Sequence, residues 1–292
     1  MPRKKTEAAK KSLLHHVRKQ RLKYIAILPS LVTIGNGMCG FIAIVMASKG
    51  RRVEGGGLSY YTVSAYLIFL AMIADMLDGR LARMSKNTSS FGGQLDSLCD
   101  AISFGVAPAF LMVEILGSKL SSAGFTDNHS LQRFVWFAAA VYVSCAVIRL
   151  ARFNVENEED ESAHMSFMGL PSPAAAGVVA SLVLFHQETL PSFDVTLYAL
   201  PLLAIGSGVL MVSRLRYPHI VNQYVKGKKP FGYFIRILFL LGLVVLPEVR
   251  QTACVLIFCG FASSSVVKWL YRKIPSKREA AADALANLES VE

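Results

Sequence analysis

LSYYTVSAYLIFLAMIADMLDGRLARMSKNTSSFGGQLDSLCD, residues 58–100, joins an apolar run to four carboxylates and then enters a second apolar run. The stretch 58–79 has the roughly 17–25 residues that cross a bilayer as a helix. Working outward, mainly apolar blocks recur at 25–48, 94–117, 134–153, 170–186, 195–213, 231–247 and 251–271. The blocks at 170–186 and 231–247 are the shortest, and the latter contains Arg236. Only 17% of the residues are charged while 53% are hydrophobic, against about 25% charged in a soluble domain. An ordinary water-soluble protein is excluded. The expected fold is all-α, a polytopic integral membrane protein with about eight transmembrane helices.

The net charge of +11 fits either nucleic acid or membrane topology, and the placement of the charges decides between them. With eight spans and the N-terminus inside, 23 Lys and Arg fall on the cytoplasmic side and 6 on the other. By the positive-inside rule both termini face the cytoplasm, and so does a cleft at the 75–100 end of the bundle. Nucleic-acid binding is not needed to explain the charge. The chain divides into a basic, weakly amphipathic tail (1–24), a transmembrane domain (25–271) and a cytoplasmic tail (272–292). The tail at 1–24 suits an anionic leaflet as well as it suits a solvated topogenic segment. Glu156, Glu158, Glu159, Asp160 and Glu161 read as a solvated acidic loop. Cys39, Cys99, Cys145, Cys254 and Cys259 lie in or beside apolar blocks without disulfide or metal spacing, and are read as packing residues.

Four of the chain's 20 acidic residues occupy one 26-residue window. On a helix Asp75, Asp78, Gly79 and Ala82 share a face, and Gly92, Asp96, Asp100, Ser103 and Ala107 form a matching stripe on the next. Two short-linked antiparallel helices point both stripes into one cleft. Carboxylates converging in low dielectric repel one another unless a cation intervenes or some are protonated. Oxygen ligands with a phosphate co-ligand suit Mg²⁺ or Mn²⁺. Gly79 and Ala82 leave room for a ligand beside the acids, Arg83 supplies a forked donor for phosphate oxygens, and Gly92 allows close approach. A lone acid near a membrane is as readily a helix-end charge or a proton relay. Eight fixed positions, however, match by chance at only roughly 10⁻¹⁰ per start.

Asp75-x-x-Asp78-Gly79-x-x-Ala82-Arg83, then Gly92-x-x-x-Asp96-x-x-x-Asp100, resembles the complete signature of the CDP-alcohol phosphotransferase family. The resemblance implies an integral membrane enzyme that moves a phosphatidyl or similar group from a CDP-linked donor to an alcohol and releases CMP. It implies that Asp75, Asp78, Asp96 and Asp100 hold two divalent cations, Mg²⁺ or Mn²⁺, with Asp100 also acting as general base. Gly79, Ala82 and Arg83 would line the CDP site, with Gly92 close by. In the first block Pro29, Thr33, Asn36 and Gly40 approximate a polar and small stripe that should avoid lipid. Thr33 and Asn36 are candidates for the cytidine, or for hydrogen bonding between helices.

Three further segments are similar to the phosphatidylserine synthase branch of that family: Ala101-Ile102-Ser103-Phe104-Gly105-Val106-Ala107-Pro108-Ala109, Arg149-Leu150-Ala151-Arg152-Phe153-Asn154, and Phe167-Met168-Gly169-Leu170-Pro171-Ser172-Pro173. The partners then implied are CDP-diacylglycerol, L-serine and the bilayer, with a homodimer suggested by relatives. Arg149 and Arg152, one helical turn apart, suit a bidentate clamp on the serine carboxylate, or else anchor the helix at the interface. Competing readings are a sister enzyme accepting glycerol 3-phosphate, an inositol phosphate or choline, and an ion-coupled transporter. The transporter reading expects acids at mid-bilayer on broken helices, often with repeats. Here they stand at helix ends and no repeat is found.

Overall fold

The computed structural model describes residues 29–50, 58–85, 90–122, 129–159, 167–189, 195–217 and 250–273. Its helices are α1 (Pro29–Ser48), α2 (Tyr60–Ser85), α3 (Ser90–Asp100), α4 (Ala107–Ser122), α5 (His129–Glu159), α6 (Ser172–Leu184), α7 (Val195–Val212) and α8 (Arg250–Lys273). A π-helical stretch, Ala101–Val106, joins α3 to α4 in one continuous rod, and another, Phe185–Thr189, extends α6. Among the described residues strand is confined to a two-residue antiparallel pair, β1 (Phe167–Met168) with β2 (Arg216–Tyr217). The protein is an all-α polytopic membrane protein.

Six helices among the described residues are long and apolar enough to cross a membrane: Pro29–Ser48, Tyr60–Leu81, Phe91–Ser121, His129–Val155, Val195–Val212 and Arg250–Tyr271. The block at 170–186 forms α6, which is 13 residues long and so rises only about 20 Å. The block at 231–247, and the tails 1–24 and 274–292, lie outside the described residues. α6 owes its place to its sequence, SPAAAGVVASLVL, which is apolar or small on every face. A helix with no polar face belongs in the interior. It is buried along nearly its whole length and packs against α2, α7 and α8. Gly177 faces the Phe258 ring of α8 so closely that no side chain fits between them. By contrast Phe41, Ile73, Phe137, Leu202 and Leu256 stand exposed on the outer surface, as lipid-facing side chains do.

The contacts sort the helix ends into two sets. At one end, the start of α2 meets the end of α6 and the start of α8. Tyr66 Oη donates to Glu188 Oε1 at 3.0 Å, Arg250 pairs with Glu188 at 3.3 Å, and Gln251 Nε2 donates to the same carboxylate. The Arg250 guanidinium also lies 5.2 Å from the centre of the Tyr66 ring. At the other end, β1 and β2 tie the start of α6 to the end of α7. Gly169 N donates to Leu215 O and Leu170 N to Leu210 O, both at 2.9 Å. Gly169 makes this turn at φ +82°, with the Met211 carbonyl where a Cβ would stand. Tyr217 is buried and its hydroxyl donates to Ala262 O of α8 at 2.9 Å. This second end carries the acidic window.

One expectation changes. A regular helix would put Asp100, Ser103 and Ala107 on one cleft-facing stripe. The π stretch begins one residue after Asp100 and adds a residue to the turn, which rotates the residues beyond it. Ser103 still meets Asn36 of α1, the residue that meets Asp100, and donates to its backbone O at 2.9 Å, whereas Ala107 leaves the stripe and is fully buried in the core. The five cysteines are unbridged, in keeping with packing roles.

Candidate active site

α2 runs to Ser85 and α3 starts at Ser90, so a short connection turns the chain back on itself. The last turns of α2 therefore lie beside the first turns of α3. Asp75 and Asp78 share a face of α2 by their i, i+3 spacing, and Asp96 meets them from α3. One ligand oxygen from each of these three comes within 4.8 Å of the others, an arrangement that could hold a metal ion. Asp78 Oδ2 and Asp96 Oδ1 are buried without a hydrogen-bond partner among the described residues. Buried, unpaired carboxylate oxygens facing one another are costly. A hard divalent cation with oxygen preference removes that cost and fits the donor set.

Asp100 stands one turn beyond Asp96, outside the triad but in the electrostatic reach of Asp75, Asp96 and Asp78. Its Oδ1 accepts from Asn36 Nδ2 at 2.9 Å. Asn36 Oδ1 is buried and unpartnered. α1 can supply Asn36 there because it lies unusually close to α3. Gly37 faces Cys99 and Gly40 faces Ser103, whose Cα would stand 2.6 Å from a Cβ on Gly40. Thr33, also buried, donates to Pro29 O at 3.0 Å and lies in hydrogen-bonding range of Asp78. Both α1 candidates thus reach the acidic cluster.

Beside Gly79 no atom of another described residue lies within 4 Å of where a methyl group would stand, and the same holds for Gly93. Ala82 and Arg83 continue α2, and their side chains lie outside the described residues; Gly92 lies on the first turn of α3.

Arg149 comes from the last third of α5 and lies in the field of Asp100 and Asp75. Its Nη1 donates to Ser172 Oγ at 2.9 Å, and its Nε is buried and unpartnered. Arg152 sits one turn further along α5 and is partly exposed. Ser97 Oγ donates to Asn154 Oδ1 at 2.8 Å, which ties α3 to this part of α5. Ser172 and Asn154 belong to the segments quoted above, but the sequence alone does not single them out. A serine between two prolines reads simply as a helix start.

A bundle of membrane-length helices that gathers three carboxylates able to hold a metal ion, with a buried arginine near them, defines a polytopic membrane protein with a candidate cation site at one end. The model of the CDP-alcohol phosphatidyltransferase family matches residues 26–213. The chain belongs to that family. It is similar to a protein of Helicobacter pylori named CDP-diacylglycerol–serine O-phosphatidyltransferase, 31% identical over 256 residues covering 84% of this chain and 92% of that one. A protein of the same name from Methanocaldococcus jannaschii is 29% identical over 249 residues, 85% of this chain and 97% of its own. Another, from Bacillus subtilis, is 30% identical over 197 residues, 66% and 90% of the two chains.

Proposed function

We propose that the protein is a CDP-diacylglycerol–serine O-phosphatidyltransferase, working at the cytoplasmic face of the cell membrane. CDP-diacylglycerol and L-serine would give phosphatidylserine and CMP. The serine hydroxyl oxygen forms a bond to the phosphorus that carries the diacylglycerol, the diphosphate link to CMP breaks, and the hydroxyl proton leaves to a base. The observation that carries this reading is the convergence of Asp75, Asp78 and Asp96 within 4.8 Å of one another, beside Asp100 and Arg149. Relatives named for this activity align along most of the chain.

Asp75, Asp78, Asp96 and Asp100 would hold two divalent cations, Mg²⁺ or Mn²⁺. When bound, these ions neutralise the diphosphate and stabilise the departing CMP phosphate. Asp100 takes the acceptor proton. Asn36 fixes one of its oxygens and leaves the other for the nucleophile. The space beside Gly79 admits the cytidine diphosphate, with Ala82, Arg83 and Gly92 around it and Thr33 and Asn36 closing the α1 side. Arg149 and Arg152 take the serine carboxylate. The positive-inside distribution of Lys and Arg supports a cytoplasmic position for this end of the bundle.

Purified protein in detergent or lipid is expected to incorporate radiolabelled serine into chloroform-soluble product. Incorporation should require CDP-diacylglycerol and stop when a chelator is added. Incorporation of glycerol 3-phosphate, an inositol phosphate or choline in place of serine would overturn the acceptor assignment. Chelator-resistant turnover would overturn the metal assignment.

An Arg149→Lys enzyme is expected to show a KM for serine raised about tenfold, because lysine lacks the two-donor fork. The KM for the lipid donor should stay near wild type. Unchanged serine kinetics would return Arg149 to a purely structural role.

A further inference from the structure

We infer that Ser172 is a positioning residue, which orients Arg149 so that one edge of its guanidinium is kept for the carboxylate of the acceptor amino acid. The inference rests on the serine-transfer reading above and deepens it.

Ser172 is the first residue of α6 and is fully buried. Its location is set by the strap before it. β1 pairs with β2, Gly169 turns at φ +82°, and Pro171 follows in extended conformation with ψ 138°. The backbone is thus held on both sides of the turn, and the hydroxyl is delivered to one spot against α5. There it accepts from Arg149 Nη1 at 2.9 Å. A flexible arginine whose head is held by a rigid neighbour loses less freedom when it binds a ligand.

The remaining donors decide what that ligand is. With Nη1 occupied, the edge formed by Nε and Nη2 remains, and it presents two parallel N–H groups. Nε is buried and has no hydrogen-bond partner among the described residues, so this edge carries at least one unmet donor. A buried unpaired donor on a cationic group is costly, and a planar carboxylate satisfies both N–H groups at once. Arg149 also lies in the field of Asp100, the residue that would receive the acceptor proton. The group bound by this edge is therefore on the acceptor, and the donor diphosphate belongs with the triad of Asp75, Asp78 and Asp96.

The test compares L-serine with serinol, in which a hydroxymethyl group replaces the carboxylate. Ser172→Ala is expected to raise the KM for serine about tenfold, with kcat and the KM for CDP-diacylglycerol little changed. The preference for serine over serinol in kcat/KM should fall by a similar factor, since serinol never used the arginine edge. An equal loss for both acceptors would make Ser172 a structural residue and overturn the inference. A rise in the KM of the lipid donor would assign the edge to the diphosphate and overturn it as well. If the alanine variant fails to fold, the same ratio is read from Ser172→Cys, which preserves volume but offers sulfur as a weak acceptor. Wild-type enzyme that does not use serine at all would overturn the parent reading and this inference together; wild-type enzyme that uses serine, with an unmoved ratio in the variant, overturns the inference alone.

Discussion

Asp100→Asn lowers kcat by about 10²–10⁴-fold, the range expected for loss of a general base, and leaves affinity for CDP-diacylglycerol close to wild type. The substitution preserves shape. An asparagine oxygen can still accept from Asn36 Nδ2, the contact that now spans 2.9 Å to Asp100 Oδ1. What disappears is the oxygen proposed to take a proton from the acceptor hydroxyl. Asp100 lies outside the close triad of Asp75, Asp78 and Asp96, so the greater part of the oxygen-ligand set remains. The matched control is Asp78→Asn. It replaces one carboxylate oxygen of a group whose buried Oδ2 has no partner among the described residues, and should cost donor affinity as well as turnover. Kinetics and donor binding on both variants separate the roles. Near-normal turnover of Asp100→Asn would sink the base assignment, and equal loss of donor binding in both variants would make Asp100 a ligand only.

The parts of this site that could be read from the chain are those governed by local spacing. Asp75 and Asp78 lie one helical turn apart, and the connection from Ser85 to Ser90 is too short to let α2 and α3 go anywhere but back to back. Asp96 joining them was therefore legible. So were the membrane-length helices, because an apolar block of that length has no other low-energy fate in a bilayer. The features that were not legible depend on contacts between segments far apart. Asn36 meets Asp100 across 64 residues, and Arg149 meets Ser172 across 23. The π stretch after Asp100 has no periodic signal of its own. It accompanies the close approach of α1 and a hydrogen bond from Tyr142 Oη to Phe104 O at 3.0 Å. The polar cluster of Tyr66, Glu188, Arg250 and Gln251 at the far end is similar. Each member reads alone as a residue near a helix end, and only packing brings them together.

Gly40→Ala should be the most damaging single-methyl change in the described helices of the site. The methyl would stand 2.6 Å from Ser103 Cα, so a backbone atom blocks it and no side-chain rotation relieves the clash. α1 and the π stretch that follows α3 must separate. Overpacking of a tight contact costs about 1–3 kcal/mol, and here the upper part of that range is expected, because two buried hydrogen bonds cross the same contact. These are Ser103 Oγ to Asn36 O and Asn36 Nδ2 to Asp100 Oδ1, each 2.9 Å. Lengthening the second frees the Asp100 carboxylate from its orienting partner, so turnover falls with stability. Thermal unfolding in detergent and kcat, measured on the same preparation, should drop together. A second substitution identifies the cause. Ser103→Gly removes the side chain but leaves its Cα in place, and should therefore restore little of the lost stability in the Gly40→Ala background. Full restoration would show that the hydroxymethyl group alone set the spacing; an unchanged unfolding midpoint in Gly40→Ala itself would show that α1 does not pack on the π stretch at this distance.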